Sequence, residues 1–176
     1  MALRSFLLPY LQDLFYAIDQ TINLFLPDHD EIVIVERLEK RRILQYNLQT
    51  GSSLPMYCTA AGKAILSFAD KEWFKGFLER VQLQPFTPYT ITDPGRLMEE
   101  LNLSREQGYA LNIQELSLGA CAVGMAIFDK NRIPSGAISI ASPTQDFDIH
   151  IVKKKYLSLL RETTRIASQF MGQNKE

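Results

Sequence analysis

The grouping of strand-like segments constrains this fold more than any other feature of the chain. Residues 3–20 open with helical spacing, since Leu3, Phe6, Leu7, Tyr10, Leu11, Leu14 and Ile18 recur every three or four positions. Pro9 suits the first turns of that helix or a kink in it. From Thr21 the pattern changes. TINLFL alternates, IVIVERL is rich in β-branched residues, and Asp28–Glu31 between them reads as a hairpin turn. A third strand is expected at Ile43–Leu48.

A helical middle follows. One helix runs through about Phe68. A second spans Lys71–Val81 with Trp73, Phe74, Phe77, Leu78 and Val81 on its apolar face. The Pro- and Thr-rich stretch Gln84–Ile91 reads as a loop. Thr92 or Asp93 can cap a third helix, with Pro94 in its first turn and Gly108 at its end. Three more strands are expected at Tyr109–Ile113, Cys121–Phe128 and Ser135–Ala141, with Asp129–Arg132 as the turn between the last two. Ile149–Met171 reads as one long closing helix, with Gln173–Glu176 fraying beyond it. Strands grouped beside helices, with no βαβ alternation, imply an α+β domain around a mostly antiparallel six-stranded sheet flanked by helices.

The 176 residues suit one domain (1–176) with a substantial core, and no repeat or linker divides them. The net charge of −1 leaves no basic footprint for nucleic acid. The Lys153–Lys155 run is short and reads as a solvated helix face. No apolar run approaches the roughly 20 residues that span a bilayer. Two cysteines make no disulfide framework, and no segment resembles a signal peptide, so a reducing cytoplasm is the expected compartment.

One segment looks built to receive something. In GSSLPMYCTAAGKAIL, Gly51–Leu66, a loop runs into a helix start whose residues are small. Thr59 is the expected N-cap, followed by Ala60, Ala61 and Gly62. The first N–H groups of a helix lack intrahelical partners and carry partial positive charge. Small side chains there either admit a carboxylate or phosphate or let the helix pack closely on a sheet. Lys63 does not make this a P-loop, because Tyr57 and Ala64 stand where that motif needs Gly and Ser or Thr.

Two further regions could converge with this helix start. One is the polar stretch Asn112–Gly119. The other is the strand pair ACAVGMAIF and SGAISIAS, whose small residues either close a sheet tightly or leave a cavity. Ser139 points away from Ile138 and Ile140, and its hydroxyl needs a structural partner or a ligand. His29 and His150 have no ligand partners at zinc spacing and read as surface residues. Cys58 has no local His base and reads first as a pocket or core residue. No metal and no cofactor are expected.

These residues resemble the effector-binding domain of IclR-type transcriptional regulators. GSSLPMYCTAAGKAIL is similar to that family's Gly-x-x-x-Pro loop leading into a Thr/Ser-x-x-Gly-Lys helix start. GYALNIQELSLGACAVGMAIFDKNRIPSGAISIASP is similar to its second signature, in the same order and spacing. The resemblance covers nearly the whole chain. It implies a GAF-like fold, a dimer or tetramer, and a small organic carboxylate as effector. Operator DNA would be bound only through a winged helix-turn-helix domain that precedes this one in the family. The carboxylate would meet the amides of Ala60 and Ala61, with Asn112, Ala122, Ser139 and Ala141 around it. Some relatives have Asp, Cys, Ser and Ser at those last four positions, so the departures imply a larger or more apolar ligand body. An enzyme acting on a small acid from the same scaffold, through Cys58 or a polar pocket group, is the alternative.

Overall fold

The computed structural model describes residues 2–40 and 48–173. Helix α1 (Ala2–Ile18) buries Leu3, Leu7, Leu11, Leu14 and Ile18 on one face and carries Pro9 on its exposed side. Strands β1 (Thr21–Asp28) and β2 (Glu31–Leu38) form a hairpin. The next strand, β3, is Ser53–Pro55 and pairs with the start of β2. Residues 41–47 of the strand expected at Ile43–Leu48 lie outside the described residues, and Leu48 itself is not in a strand. Pro55 has no N–H to give a further neighbour, which suits an edge.

Helices α2 (Ala60–Leu66), α3 (Lys71–Arg80) and α4 (Pro94–Gln107) then carry the chain to the opposite edge of the sheet. Asp70 and Asp93 cap α3 and α4 through their carboxylates, and Gly108 ends α4 with a left-handed φ of 82°. Strands β4 (Ala110–Ile113), β5 (Ala120–Phe128) and β6 (Pro134–Pro143) return toward the centre. The six strands lie in the order β3-β2-β1-β6-β5-β4, and every neighbouring pair is antiparallel. The expected α+β, GAF-like architecture is thus the observed one.

The closing helix differs from the expected uninterrupted Ile149–Met171. It starts as α5 (Ile149–Ile151), widens into a π turn over Val152–Tyr156, and continues as α6 (Leu157–Gln173). The wide turn keeps Val152 and Tyr156 both buried while Lys153–Lys155 face solvent. Of the expected frayed end, Gln173 is the last helical residue and residues 174–176 lie outside the described residues.

Alternation along the strands separates two cores. Ile22, Leu24, Val123, Met125, Ile138 and Ile140 pack against α1 and α6 on one face. Phe25, Ile32, Ile34 and Ala137 pack with residues of α2, α3 and α4 on the other. A β-bulge breaks the alternation in β2. Leu24 faces Glu36, but Phe25 faces Ile34, leaving Val35 as the extra residue. Beyond the bulge Glu36 turns to the α1 side, where Arg4 lies 2.7 Å away. Arg37 instead joins the face that carries Ile32 and Ile34.

Candidate functional site

The site begins with a close approach of backbone to backbone. Gly124 of β5 lies directly under the start of α2. A Cβ at Gly124 would stand 2.8 Å from the Ala60 carbonyl carbon and 2.9 Å from the Ala61 nitrogen. Gly62 is held equally tightly, since a Cβ there would stand 2.3 Å from the Met56 carbonyl oxygen. Thr59 caps the helix by accepting a hydrogen bond from the Gly62 N–H at 3.2 Å, and its own hydroxyl donates to the Pro55 carbonyl at 2.8 Å. The amides of Ala60 and Ala61 belong to the first turn, where no intrahelical carbonyl is available. The small residues therefore serve close packing on the sheet and leave the helix start beside a cavity. The two readings open at the sequence level are compatible.

The cavity lies between α2 and the sheet and measures about 90 Å³. One buried water needs roughly 10–15 Å³ by the same measure, so the space exceeds a single water several-fold. All six residues singled out from the sequence, Ala60, Ala61, Asn112, Ala122, Ser139 and Ala141, line it. Register explains their convergence. Asn112 faces Ala122, which faces Ala141, so one row across β4, β5 and β6 supplies three of them. The adjacent row runs Gly124, Ser139, Asn23, Arg37 across four strands. Phe25, Leu54 and Leu116 add apolar wall.

The Ser139 Oγ accepts a hydrogen bond from Asn23 Nδ2 at 3.3 Å, and the residue borders the cavity. Asn112 accepts the Glu115 amide N–H through Oδ1 at 2.9 Å, which leaves its Nδ2 as the group that can face a ligand. Asn23 and Arg37 also line the cavity and were not singled out in the sequence. Arg37 Nη1 donates to Asn23 Oδ1 at 2.7 Å, and Nε donates to Glu39.

Behind the cavity lies a buried charge cluster. The Lys63 side chain is fully buried, and its ammonium reaches Glu115 Oε2 at 2.7 Å, Glu115 Oε1 at 3.0 Å and Glu100 Oε1 at 3.1 Å. Its three donors thus have three acceptors. The contact ties α2 to the loop that follows Asn112 and to α4. Burial pushes the Glu115 carboxyl above its ordinary value, against the pull of the Lys63 charge. Cys58 is fully buried, and burial followed by the Glu115 charge pushes its thiol up to about 12. A thiol so strongly protonated is poorly suited to act as a nucleophile at neutral pH. His29 and His150 are exposed, and among the described residues no cluster of His, Cys, Asp or Glu could hold a metal ion. No described helix is long and apolar enough to cross a membrane.

A six-stranded antiparallel sheet flanked by helices, with a partly polar cavity between α2 and the sheet, has the form of a GAF-like domain, and comparison with known proteins specifies the family. Residues 1–169 match the family model described as bacterial transcriptional regulator IclR C-terminal. The chain belongs to the IclR family and corresponds to its C-terminal domain. It is 32% identical to the DNA-binding transcriptional repressor YiaJ of Escherichia coli K12, over 93% of this chain and 59% of that protein. It is 30% identical to the HTH-type transcriptional regulator KipR of Bacillus subtilis, over 79% of this chain and 56% of that protein. The chain therefore spans somewhat over half the length of these relatives. Among solved structures, Thermotoga maritima IclR superposes with a TM-score of 0.93 at 31% identity, covering 98% of this chain and 69% of that one. A double mutant of the inducer-binding domain of PobR from Acinetobacter, in complex with 3-hydroxybenzoic acid, gives 0.84 at 29% identity, covering 91% and 94%.

Proposed function

We propose that this chain is the effector-sensing domain of an IclR-family transcriptional regulator and that its effector is a small organic carboxylate. The observation that carries this reading is the cavity itself, at which the start of α2 meets Ser139, Asn112 and the small residues of β5 and β6. The first-turn amides of Ala60 and Ala61 suit the acid group. Alanine at 122 and 141 leaves room for a body larger or more apolar than a two- or three-carbon oxoacid. The double-mutant PobR domain bound to 3-hydroxybenzoic acid supports an acid of this size class on the same fold.

Ligand binding would favour one arrangement of a dimer or tetramer, and a DNA-binding domain N-terminal to this one would report it. The shift is limited to the effector's differential affinity for the two arrangements. DNA contact belongs to that preceding domain, since this chain has no basic surplus. The expected compartment is the cytoplasm, where such regulators meet their operators. Isothermal titration calorimetry against a panel of aliphatic, aromatic and sugar acids tests the reading. Saturable binding of a five- to seven-carbon acid is expected, and tight binding of glyoxylate with none of the larger acids would overturn it.

A further inference from the structure

The end of the cavity away from α2 carries Asn23 and Arg37, two polar residues that the family resemblance does not account for. Ser139, Asn23 and Arg37 are successive partners in one cross-strand row. Asn23 donates to Ser139, and Arg37 donates to Asn23. Asn23 and Ser139 are buried, 8% of the Arg37 side chain is exposed, and all three line the cavity. The row continues from Ser139 to Gly124, on which the start of α2 rests. Adjacent strands lie about 4.8 Å apart, so the helix start and the guanidinium above Asn23 sit roughly 10 Å from each other. The two ends of the cavity are thus both rich in donors.

The guanidinium has donors to spare. Of its five N–H groups, one serves Glu39 and one serves Asn23. The other three are not used by these two bonds, and an oxygen of a ligand in the cavity can accept from them. Glu39 already balances the charge of Arg37. The acceptor that fits is therefore a neutral oxygen, because a second carboxylate would have to displace Glu39 or bring an unbalanced charge into the cavity.

We propose that Arg37, braced by Asn23, determines specificity at the far end of the cavity, and that the effector is a carboxylic acid bearing a hydroxyl or carbonyl oxygen at the end opposite its acid group. This rests on the carboxylate reading above. A plain acid of the same length offers the Arg37 donors no oxygen, and a site built to bond an oxygen discriminates strongly against the analogue that lacks it.

Calorimetry on this chain with matched probes tests the inference. The pairs are hexanoate with 6-hydroxyhexanoate or 5-oxohexanoate, and benzoate with 4-hydroxybenzoate, with hexanedioate as the dianionic arm. The oxygenated member of at least one pair is expected to bind about tenfold tighter or better. Arg37→Met is expected to bring that ratio close to one while the plain acid keeps its affinity within about threefold. Arg37→Lys, which keeps the charge and loses the planar fork, is expected to lose most of the preference. Thermal unfolding checks that both variants fold, and if either does not, the ratio in the unaltered chain decides alone. Equal binding within every pair overturns the inference and leaves the carboxylate reading standing. Tightest binding of hexanedioate overturns the neutral-oxygen assignment. Failure of every acid to bind removes the carboxylate reading and this inference with it.

Discussion

Gly124→Ala places one methyl group between the sheet and the start of α2. The added carbon would lie 2.8 Å from the Ala60 carbonyl carbon and 2.9 Å from both the Ala60 oxygen and the Ala61 nitrogen. Ordinary van der Waals contact begins near 3.4 Å, so the helix start must retreat by roughly 0.5–1 Å. It is backbone, and it cannot yield by turning a side chain. It is also pinned from behind by the Thr59 cap and by the contact of Gly62 with Met56. Overpacking of this kind costs about 1–3 kcal/mol. The loss of unfolded-chain freedom on Gly→Ala returns about 0.4–1 kcal/mol. These leave a net loss of up to about 2.5 kcal/mol, and at about 2–4 °C per kcal/mol for a domain of this size the melting temperature should fall by up to roughly 10 °C. Because the displaced atoms include the Ala60 and Ala61 amides, affinity for whichever panel acid binds should fall about tenfold. Gly172→Ala is the control, since the nearest atom to a Cβ there is 4.0 Å away, and its melting temperature should stay level or rise slightly. A Gly124→Ala protein that melts and binds like the unaltered chain would refute the close-contact argument. One that melts lower but binds unchanged would refute the placement of the ligand at the start of α2.

Further substitutions probe the buried titratable groups behind the cavity. Lys63→Met strands the Glu115 carboxylate and should cost about 3–5 kcal/mol in urea unfolding, whereas Lys63→Met with Glu115→Gln should recover at least half of that; additive losses would show that the pair is not coupled. Cys58 holds its proton to about pH 12 in the folded chain, while an unfolded cysteine loses it near pH 8.5. Its contribution to stability is therefore complete below about pH 8.5 and is lost as pH rises toward 12, at about 1.4 kcal/mol per unit. The stability difference between the unaltered chain and Cys58→Ala should shrink across that window, and a difference independent of pH would contradict a buried, protonated thiol.

Most of the architecture was legible because local signals and tertiary demands agree. The leucines of α1, the Asp-Pro start and Gly end of α4, and the Asp129–Arg132 turn each carry their own instruction, and the structure follows them. The final helix was misread in one respect. Apolar positions at Val152, Tyr156, Leu157 and Leu160 look continuous with a helix, and the period does not reveal that a π turn sets the first two inward. The role of Lys63 is not legible in the sequence for a different reason. Its partners Glu100 and Glu115 lie 37 and 52 residues away, and only the fold brings them within reach.

The cavity shows the same division between what is local and what is not. Ala60, Ala61, Asn112, Ala122, Ser139 and Ala141 were reachable because two separated sequence blocks carry them in a family's order, and register then places them around one space. Asn23 and Arg37 lie outside those blocks. Strict alternation along IVIVERL would put Glu36 on the face of Ile32 and Ile34 and turn Arg37 away from it. The single extra residue at Val35 reverses that assignment. Nothing in seven residues of sequence distinguishes the two outcomes, because both bury Ile32 and Ile34. The choice is made by pairing with β1, where Leu24 must face Glu36 for Asn23 to face both Arg37 and Ser139. A bulge that leaves the apolar pattern intact but exchanges an acidic for a basic neighbour of the cavity changes what the cavity can bind without changing how the domain folds. Ligand choice in such a domain can therefore vary through strand register in β2 as well as through the residues of β5 and β6.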